Sequence, residues 1–327
     1  METIKNVSIK AISYYLPNNP IDVRVFSEKN QDWNLDKIIQ KTGIRQVFHA
    51  SENETAVDLA IKASENLFST KDILKDSIDG LLFVTQSPDY ILPTSACIIQ
   101  EKLNLPNNLL AFDINLGCSG FVKSLSVASS LLNTGVCNNI LIICSETYSK
   151  YIDQNDRTCL PLFSDGSSAV VVASGGDFEI GPFLFGVDGK GAENLIVHSG
   201  GARLNDGSAK KLYMNGAQVF IFTLEKVPQA ISDFLNKNNL SIDNIDYFIF
   251  HQASNLILDA IAEKCKIPEN KIIKSLEFIG NTVSSTIPIT LKISTENKII
   301  KKDSLILLVG FGVGYSWAIS LVKWGSS

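Results

Sequence analysis

The chain has 327 residues, of which 45% are hydrophobic and 19% charged, and its formal net charge is −5. This composition indicates a globular protein with a sizeable core and excludes a disordered chain. The negative charge argues against a long polyanion such as DNA as a partner. No stretch approaches the ~20 apolar residues of a membrane-spanning helix.

The N-terminal ten residues carry charges and then alternate as a strand does, without the basic and apolar regions of a signal peptide. We therefore expect a cytoplasmic location and no contact with a membrane. The six cysteines include no CxxC pair and no Cys/His cluster with zinc spacing, so the sequence predicts no metal site. Five of them are predicted to be small core residues, and Cys118 is the exception.

Short apolar runs alternate with segments of helical period along the first half of the chain. The predicted strands are 80–85, 111–114, 139–144 and 168–173, and the predicted helices are 94–103 and 118–134. These strands are continuously apolar, which is typical of a sheet buried on both faces. We therefore expect a mostly parallel sheet with helices on both sides.

The second half repeats this order. Residues 246–250 resemble 79–83, and residues 304–309 resemble 139–144. The repeat predicts two similar α/β halves, 1–175 and 176–327, which pack tightly. We expect them to join near 174–182, where Gly and Pro interrupt the pattern.

Cys118 is the first candidate for chemistry. It lies in a glycine-flanked turn, residues 115–121, between a predicted strand and a predicted helix of small residues. A helix N-terminus stabilises a thiolate, and the neighbouring glycines let a substrate approach the backbone. Taken alone, the segment fits a buried structural cysteine equally well.

A histidine and an asparagine also lie at predicted element ends. His251 ends an apolar strand, where the active-site groups of α/β proteins gather, although a capped core histidine has the same pattern. His49 and His198 lie in polar segments and are predicted to be structural or solvated. Asn281 lies in a Gly-Asn turn and, taken alone, is a helix cap.

Residues 310–314, Gly-Phe-Gly-Val-Gly, follow a predicted strand directly. They superficially resemble a dinucleotide-binding loop, but the chain ends too soon for the helix and strand that such a loop requires. We expect instead a tight turn that brings backbone amides close to a substrate.

Cys118, His251 and Asn281 occur in this order with other short motifs, and the whole pattern resembles the β-ketoacyl-acyl-carrier-protein synthase III family of the thiolase superfamily. The matching segments are Thr42-Gly-Ile-Arg45, Pro93-Thr-Ser-Ala96, Gly117-Cys-Ser-Gly-Phe121, Asp156-Arg157, Leu162-Phe-Ser-Asp-Gly166, Tyr213-Met-Asn-Gly216, His251-Gln-Ala253, Gly280-Asn-Thr282 and Gly310-Phe-Gly-Val-Gly-Tyr-Ser-Trp317. They cover nearly the whole chain in the family's order.

The resemblance implies an α/β fold of the thiolase type, with five αβαβα layers, in a homodimer. It implies Cys118, His251 and Asn281 as catalytic residues, with the amides of Cys118 and Val313 as the oxyanion hole. An acyl group from acyl-CoA or acyl-ACP would move to Cys118 and condense with malonyl-ACP or malonyl-CoA as CO2 leaves. An acyl carrier protein would be a partner, and no cofactor would be needed.

Other positions carry over from the family more loosely. Phe311 matches the phenylalanine beside the nucleophile, and Leu92 matches a bulky residue that enters the partner subunit's acyl pocket. Lys41 and Arg157 match positions that bind coenzyme A or the carrier.

Three departures from the family pattern indicate a specialised paralogue. The segment before Thr42 is altered, although Lys41 keeps a positive charge where arginine is usual. The family's adenine-stacking tryptophan precedes the threonine of the first motif by five residues, where this chain has Lys37, and Trp33 lies nine residues before Thr42. Leu256 replaces the arginine that docks the carrier protein.

Three other functions stay open. The first is acyl transfer from Cys118 to an alcohol, an amine or a second carrier, for which the pair His251 and Asn281 is less necessary. The second is a cysteine hydrolase. The third is a non-catalytic subunit that shapes a partner's acyl pocket, although such a subunit would have no need of Cys118.

Overall fold

The computed structural model describes residues 6–30 and 32–325. The beginning of the predicted N-terminal strand falls on residues 1–5, outside the described residues. The strands are β1 (Val7–Tyr15), β2 (Pro20–Asp22), β3 (Gln46–Phe48), β4 (Gly80–Val84), β5 (Leu110–Ile114), β6 (Asn139–Glu146), β7 (Gly166–Ser174), β8 (Phe178–Val187), β9 (Leu195–Val197), β10 (Leu212–Met214), β11 (Tyr247–Phe250), β12 (Leu305–Gly312) and β13 (Ser316–Trp324). The α-helices are α1 (Phe26–Lys29), α2 (Leu35–Thr42), α3 (Ala56–Ser69), α4 (Ser95–Leu103), α5 (Gly120–Asn133), α6 (Gly216–Lys237), α7 (Asn255–Cys265), α8 (Leu276–Ile279) and α9 (Thr286–Glu296).

The main sheet shows an internal repeat. Its strand order is β11-β12-β13-β8-β1-β7-β6-β4-β5. The series β4-β6-β7-β1 is repeated as β11-β12-β13-β8, and the relative strand directions are the same in both series. The two series meet where Ser8 and Ile9 of β1 pair with β8. This repeat supports two similar halves, and the boundary between residues 175 and 176 stays a prediction.

Helices cover the sheet in three layers. Helices α3 and α4 pack on the outer face of the N-terminal series, and α6 and α7 pack outside the C-terminal series. Helices α5 and α9 lie between the two series and contact strands of both. The predicted α/β fold with αβαβα layers is confirmed. Across residues 6–30 and 32–325, none of the helices combines the length and the apolar character that crossing a bilayer requires.

Strands buried on both faces explain the continuous apolar runs. In β4, Leu82 and Val84 face the central layer, whereas Leu81 and Phe83 face α3 and α4. Because neighbouring side chains of a strand point to opposite faces, a strand with no solvated face needs apolar residues at every position. Strand β12 follows the same rule, with Leu308 in the central layer and Leu307 in the outer one.

One expectation about the sheet was wrong. The main sheet is mixed, because β4, β5 and β6 are mutually parallel and β11 is parallel to β12, while the remaining pairs are antiparallel. An apolar run indicates that a strand is buried on both faces, but it does not indicate whether the strand is parallel or antiparallel to its neighbours. The join of the two halves near 174–182 stays a prediction. In this segment β7 ends at Ser174 and β8 begins at Phe178, and a register shift accommodates Gly181 and Pro182 inside β8.

Candidate active site

A cavity of about 470 Å³ brings the three principal candidates together. Cys118, His251 and Asn281 all lie on its wall, and they are 6%, 2% and 3% exposed. The apolar part of the wall includes Leu162, Phe163, Leu195, Met214, Val219, Phe220, Ile257 and Phe311. An apolar cavity with a few convergent polar groups is the usual form of a small-molecule site.

Close packing of glycines positions the Cys118 turn. Cys118 lies between β5 and α5, which begins two residues later at Gly120. A Cβ atom on Gly117 would lie 2.4 Å from Oε1 of Gln86, and one on Gly120 would lie 2.5 Å from a methyl carbon of Val84. Larger residues would therefore push the turn, and the thiol with it, away from its place against β4.

The turn between β12 and β13 closes over the same thiol. A Cβ atom on Gly312 would lie 2.7 Å from Sγ of Cys118, and one on Gly310 would lie 2.9 Å from the Cys118 carbonyl oxygen. The backbone amides of Val313 and of Cys118 itself donate toward the sulfur. Because β13 follows this turn directly, the segment is a hairpin, and the dinucleotide-loop alternative is excluded.

The thiol of Cys118 is protonated at neutral pH. Burial raises its pKa to about 12. Glu146, once it is ionised, acts in the same direction, and the amides of Val313 and Cys118 oppose the shift. The expectation that the helix N-terminus favours the thiolate was therefore wrong for the free protein. The cavity removes the water that would solvate the thiolate. The free-energy cost of this lost solvation exceeds the stabilisation from the two amide hydrogen bonds.

His251 is a neutral hydrogen-bonding group. Its backbone amide donates to the Val309 carbonyl at 2.8 Å, and its ring meets Phe311 edge-on at 5.7 Å between centroids. Burial lowers the pKa of the imidazole to about 3, although the Val283 backbone opposes this shift. The ring is therefore uncharged at neutral pH. Nδ1 lies 2.8 Å from Oγ1 of Thr286, which leaves Nε2 to meet a ligand.

Backbone groups of the 162–164 segment and of its own loop orient Asn281. Its amide donates to the Leu162 carbonyl at 3.1 Å, and its carbonyl accepts from the Ser164 amide at 2.9 Å. Its side-chain Oδ1 accepts from the Val283 amide at 3.0 Å, so Nδ2 is the group that can donate to a ligand. Gly280 has a φ of +73°, a conformation that glycine adopts without strain.

The less central candidates differ in their distance from the cavity. Lys41 and the buried Phe311 line it. Arg157 is exposed and lies outside the lining, although its neighbour Thr158 belongs to it. Leu92 is 79% exposed and also lies outside this chain's cavity, which fits a contact with another subunit.

The remaining histidines and cysteines have no place in the lining of this cavity. His49 stacks on Phe26, and His198 is an exposed neighbour of Glu193. The buried cysteines are Cys137, Cys144 and Cys159, as expected, whereas Cys97 is exposed and Cys265 partly exposed. The expectation was wrong for the last two, because apolar sequence neighbours in a helix do not all face the core.

Glu146 is a functional candidate that the sequence analysis missed. It ends β6, is completely buried, and accepts hydrogen bonds from the hydroxyls of Ser87 and Ser284, both at 2.9 Å. It also accepts from the Gln86 amide at 3.1 Å. Ser284 belongs to the Asn281 loop, and Gln86 packs on Gly117, so this carboxyl group joins the turns that carry Cys118 and Asn281. The sequence signal that could have identified Glu146 is a single acidic residue at the end of an apolar strand.

The ionisation of Glu146 predicts a pH-dependent stability. Burial raises its pKa from 4.5 to about 8, so the folded chain holds this proton more tightly than the unfolded chain does. The resulting stabilisation is complete below about pH 4.5 and is lost as the pH rises to about 8. Between pH 5 and 8, we expect the wild-type free energy of unfolding to fall relative to that of Glu146→Gln by about 1 kcal/mol per pH unit.

Unfolding by urea at pH 5, 6, 7 and 8 measures this difference. Glu65→Gln removes an exposed carboxylate from α3 and is the matched control. Parallel pH curves for the wild type and Glu146→Gln would contradict the raised pKa.

Comparison with known proteins identifies the family to which the chain belongs. Residues 112–189 match the model of 3-oxoacyl-[acyl-carrier-protein (ACP)] synthase III, and residues 235–324 match the model of its C-terminal part. A β-ketoacyl-[acyl-carrier-protein] synthase III of Ehrlichia ruminantium (strain Gardel) is 34% identical over 319 residues, which cover 96% of this chain and 98% of the relative. A β-ketoacyl-[acyl-carrier-protein] synthase III 2 of Bacillus anthracis is 34% identical over 328 residues, which cover 98% of each.

A solved structure agrees with these relatives. The crystal structure of a 3-oxoacyl-(acyl-carrier-protein) synthase III superposes with a TM-score of 0.93 at 42% identity, covering 97% of this chain and 99% of the other. The similarity extends over nearly the full length and includes the segments that carry Cys118, His251 and Asn281. This chain therefore belongs to the β-ketoacyl-[acyl-carrier-protein] synthase III family.

Proposed function

We propose that this chain joins an acyl group, carried on Cys118, to a malonyl thioester in a decarboxylative condensation. The observation that carries the proposal is the meeting of one thiol and two neutral hydrogen-bonding side chains on the wall of an apolar cavity. The thiol provides a nucleophile for acyl transfer, and the two side chains suit the oxygen of an enolate. Membership of the family supports this assignment.

In the first step, the sulfur of Cys118 attacks an acyl thioester. The Cys118 and Val313 amides, which donate toward this sulfur, would hold the oxyanion that forms. The departing thiol takes the proton that Cys118 loses, so charge balances over the step. An acyl-cysteine thioester and a free thiol result.

In the second step, a malonyl thioester enters the same cavity. Nε2 of His251 and Nδ2 of Asn281 donate to its thioester oxygen, and the bond to the carboxylate breaks as CO2 leaves. The electron pair remains as an enolate, whose carbon attacks the acyl-cysteine carbonyl. The carbon–sulfur bond then breaks, and the Cys118 thiolate takes up one proton from solvent, which balances the negative charge of the carboxylate that was lost as CO2. Each donor contributes about 3 kcal/mol to lowering the barrier.

The residues that line the cavity support the choice of substrates. Its apolar lining suits an acyl chain, and Lys41 places a cation where an acidic CoA or carrier-bound arm would enter. Acyl-CoA or acyl-ACP is the donor, malonyl-ACP or malonyl-CoA is the extender, and an acyl carrier protein is the partner. Arg157, next to the lining residue Thr158, adds a second cation near this entrance. The half-exposed Leu256 stands in place of the docking arginine and supports a specialised role.

A homodimer in the cytoplasm is part of the proposal. Tyr90, Ile91 and Leu92 form a run of large apolar side chains that are all exposed in the single chain. Such a run is costly to leave in water, and a second copy of the chain would cover it. Leu92 would then border the acyl pocket of the partner.

Incubation with a panel of acyl-CoA and acyl-carrier thioesters tests the function. We expect an intact-mass adduct that maps to Cys118 and is discharged as a β-ketoacyl product when malonyl thioester is added. An adduct that leaves only with an alcohol or amine would contradict condensation in favour of acyl transfer. Release of the free acid without malonyl thioester would favour hydrolysis.

A further inference from the structure

Thr286 is a buried hydroxyl group behind the ring of His251. It is the first residue of α9 and is 2% exposed. Its Oγ1 lies 2.8 Å from Nδ1 of His251 and 3.1 Å from the carbonyl oxygen of Val283. A threonine hydroxyl has one proton to donate, so it serves either the ring nitrogen or the carbonyl.

The choice between these two acceptors determines which ring nitrogen of His251 carries the proton. A neutral imidazole has one N–H group and one lone pair. If Thr286 donates to Nδ1, the proton resides on Nε2. If Thr286 donates to the carbonyl, Nδ1 donates to Oγ1 and Nε2 carries only a lone pair. The group bonded to the second nitrogen of a histidine thus decides what the first can do.

We infer that Thr286 is a positioning residue that donates to Nδ1 and keeps the proton of His251 on Nε2, toward the substrate. The hydroxyl is closer to the ring nitrogen than to the carbonyl, and both residues are buried, which excludes bulk water as a competing partner. The inference rests on the proposed function, in which Nε2–H donates to the thioester oxygen. The side-chain amide of Asn281 is oriented in a similar way, because the Val283 amide donates to its Oδ1 and leaves Nδ2 for the substrate.

The tautomer is measurable without any substrate. The chain contains three histidines, so the side-chain nitrogens of a 15N-histidine-labelled sample can be assigned by substituting each in turn. We expect a lone-pair-type shift at Nδ1 and an N–H-type shift at Nε2 of His251 in the wild-type protein. In Thr286→Val, Nδ1 loses the hydroxyl beside it, so the preference for a proton on Nε2 should weaken and N–H character should appear at Nδ1. Thr286→Ser should restore the wild-type pattern.

Kinetics give the second readout. Thr286→Val should reduce the rate of condensation about 10- to 100-fold, since loss of an orienting partner has effects of this size at other histidine sites. The same variant should form the Cys118 adduct at close to the wild-type rate, and Thr286→Ser should recover most of the condensation.

Thr290→Val is the matched control. This buried threonine lies one turn further along α9 and bonds the Thr286 carbonyl and the Ser275 hydroxyl instead of His251. It should condense at close to the wild-type rate with the wild-type tautomer. Equal losses in Thr290→Val and Thr286→Val would overturn the inference.

A proton on Nδ1 of the wild-type protein would overturn the inference whatever the kinetics. A wild-type protein that forms no β-ketoacyl product from any thioester tested would instead overturn the proposed function. The nitrogen shifts would still decide the tautomer in that case, so the two failures are distinguishable.

Discussion

Replacement of Cys118 by alanine is expected to abolish acylation of the protein and to reduce overall turnover by about 10³-fold or more, because Cys118 is the one thiol among the described residues that line the cavity. Intact-mass measurement after incubation with the best acyl thioester should show no adduct. The fold should be unaffected, since alanine leaves the glycine packing around residue 118 in place.

Cys137→Ala is the matched control for this experiment. Cys137 is equally buried, but its sulfur lies beside the Asp79 carbonyl at 3.6 Å and outside the cavity lining. This variant should form the adduct as the wild type does. An adduct that persists in Cys118→Ala, or that disappears in Cys137→Ala, would show that Cys118 is not the nucleophile.

Loss of the Asn281 donor is expected to separate the two half-reactions. Asn281→Ala should slow condensation by about 10²- to 10³-fold, because a preorganised donor to a developing oxyanion has an effect of this size. The acyl adduct on Cys118 should still form, since the proposed oxyanion hole of the first step consists of backbone amides. Rapid-quench measurement of adduct formation, followed by addition of malonyl thioester, gives the two rates separately.

Two further variants identify the cause of this loss. Asn281→Asp keeps an oxygen for the Val283 amide at nearly the same position but has no N–H group to donate. We expect it to condense as slowly as Asn281→Ala, and His251→Ala should show the same separation of steps. Condensation at the normal rate in Asn281→Ala would contradict the proposed mechanism.

The sequence was sufficient to predict which residues meet in the site. Cys118, His251 and Asn281 each lie at the end of an element, and in layered α/β folds such ends gather along one edge of the sheet. The structure places all three on one cavity, together with Lys41 and Phe311. The turn after β12 was also anticipated, since glycines beside a nucleophile allow the backbone to come close.

Strand burial was likewise visible in the sequence, whereas strand direction was not. The apolar runs of β4 and β12 correctly indicated two covered faces. Direction depends on how each connection crosses the fold, and a long loop between β6 and β7 leaves both possibilities open. For that reason the mixed character of the sheet appeared only in the folded chain.

The ionisation of the site was decided by the tertiary structure alone. A helix N-terminus near Cys118 favours the thiolate, but the folded cavity excludes water and keeps the thiol. Glu146 and Thr286 contact partners that lie 138 and 35 residues away along the chain, Ser284 and His251. The sequence by itself determined which candidate residues share the cavity wall and the burial of the strands that precede them. Protonation, tautomer and strand direction depend on distances between remote segments, which exist only once the chain has folded.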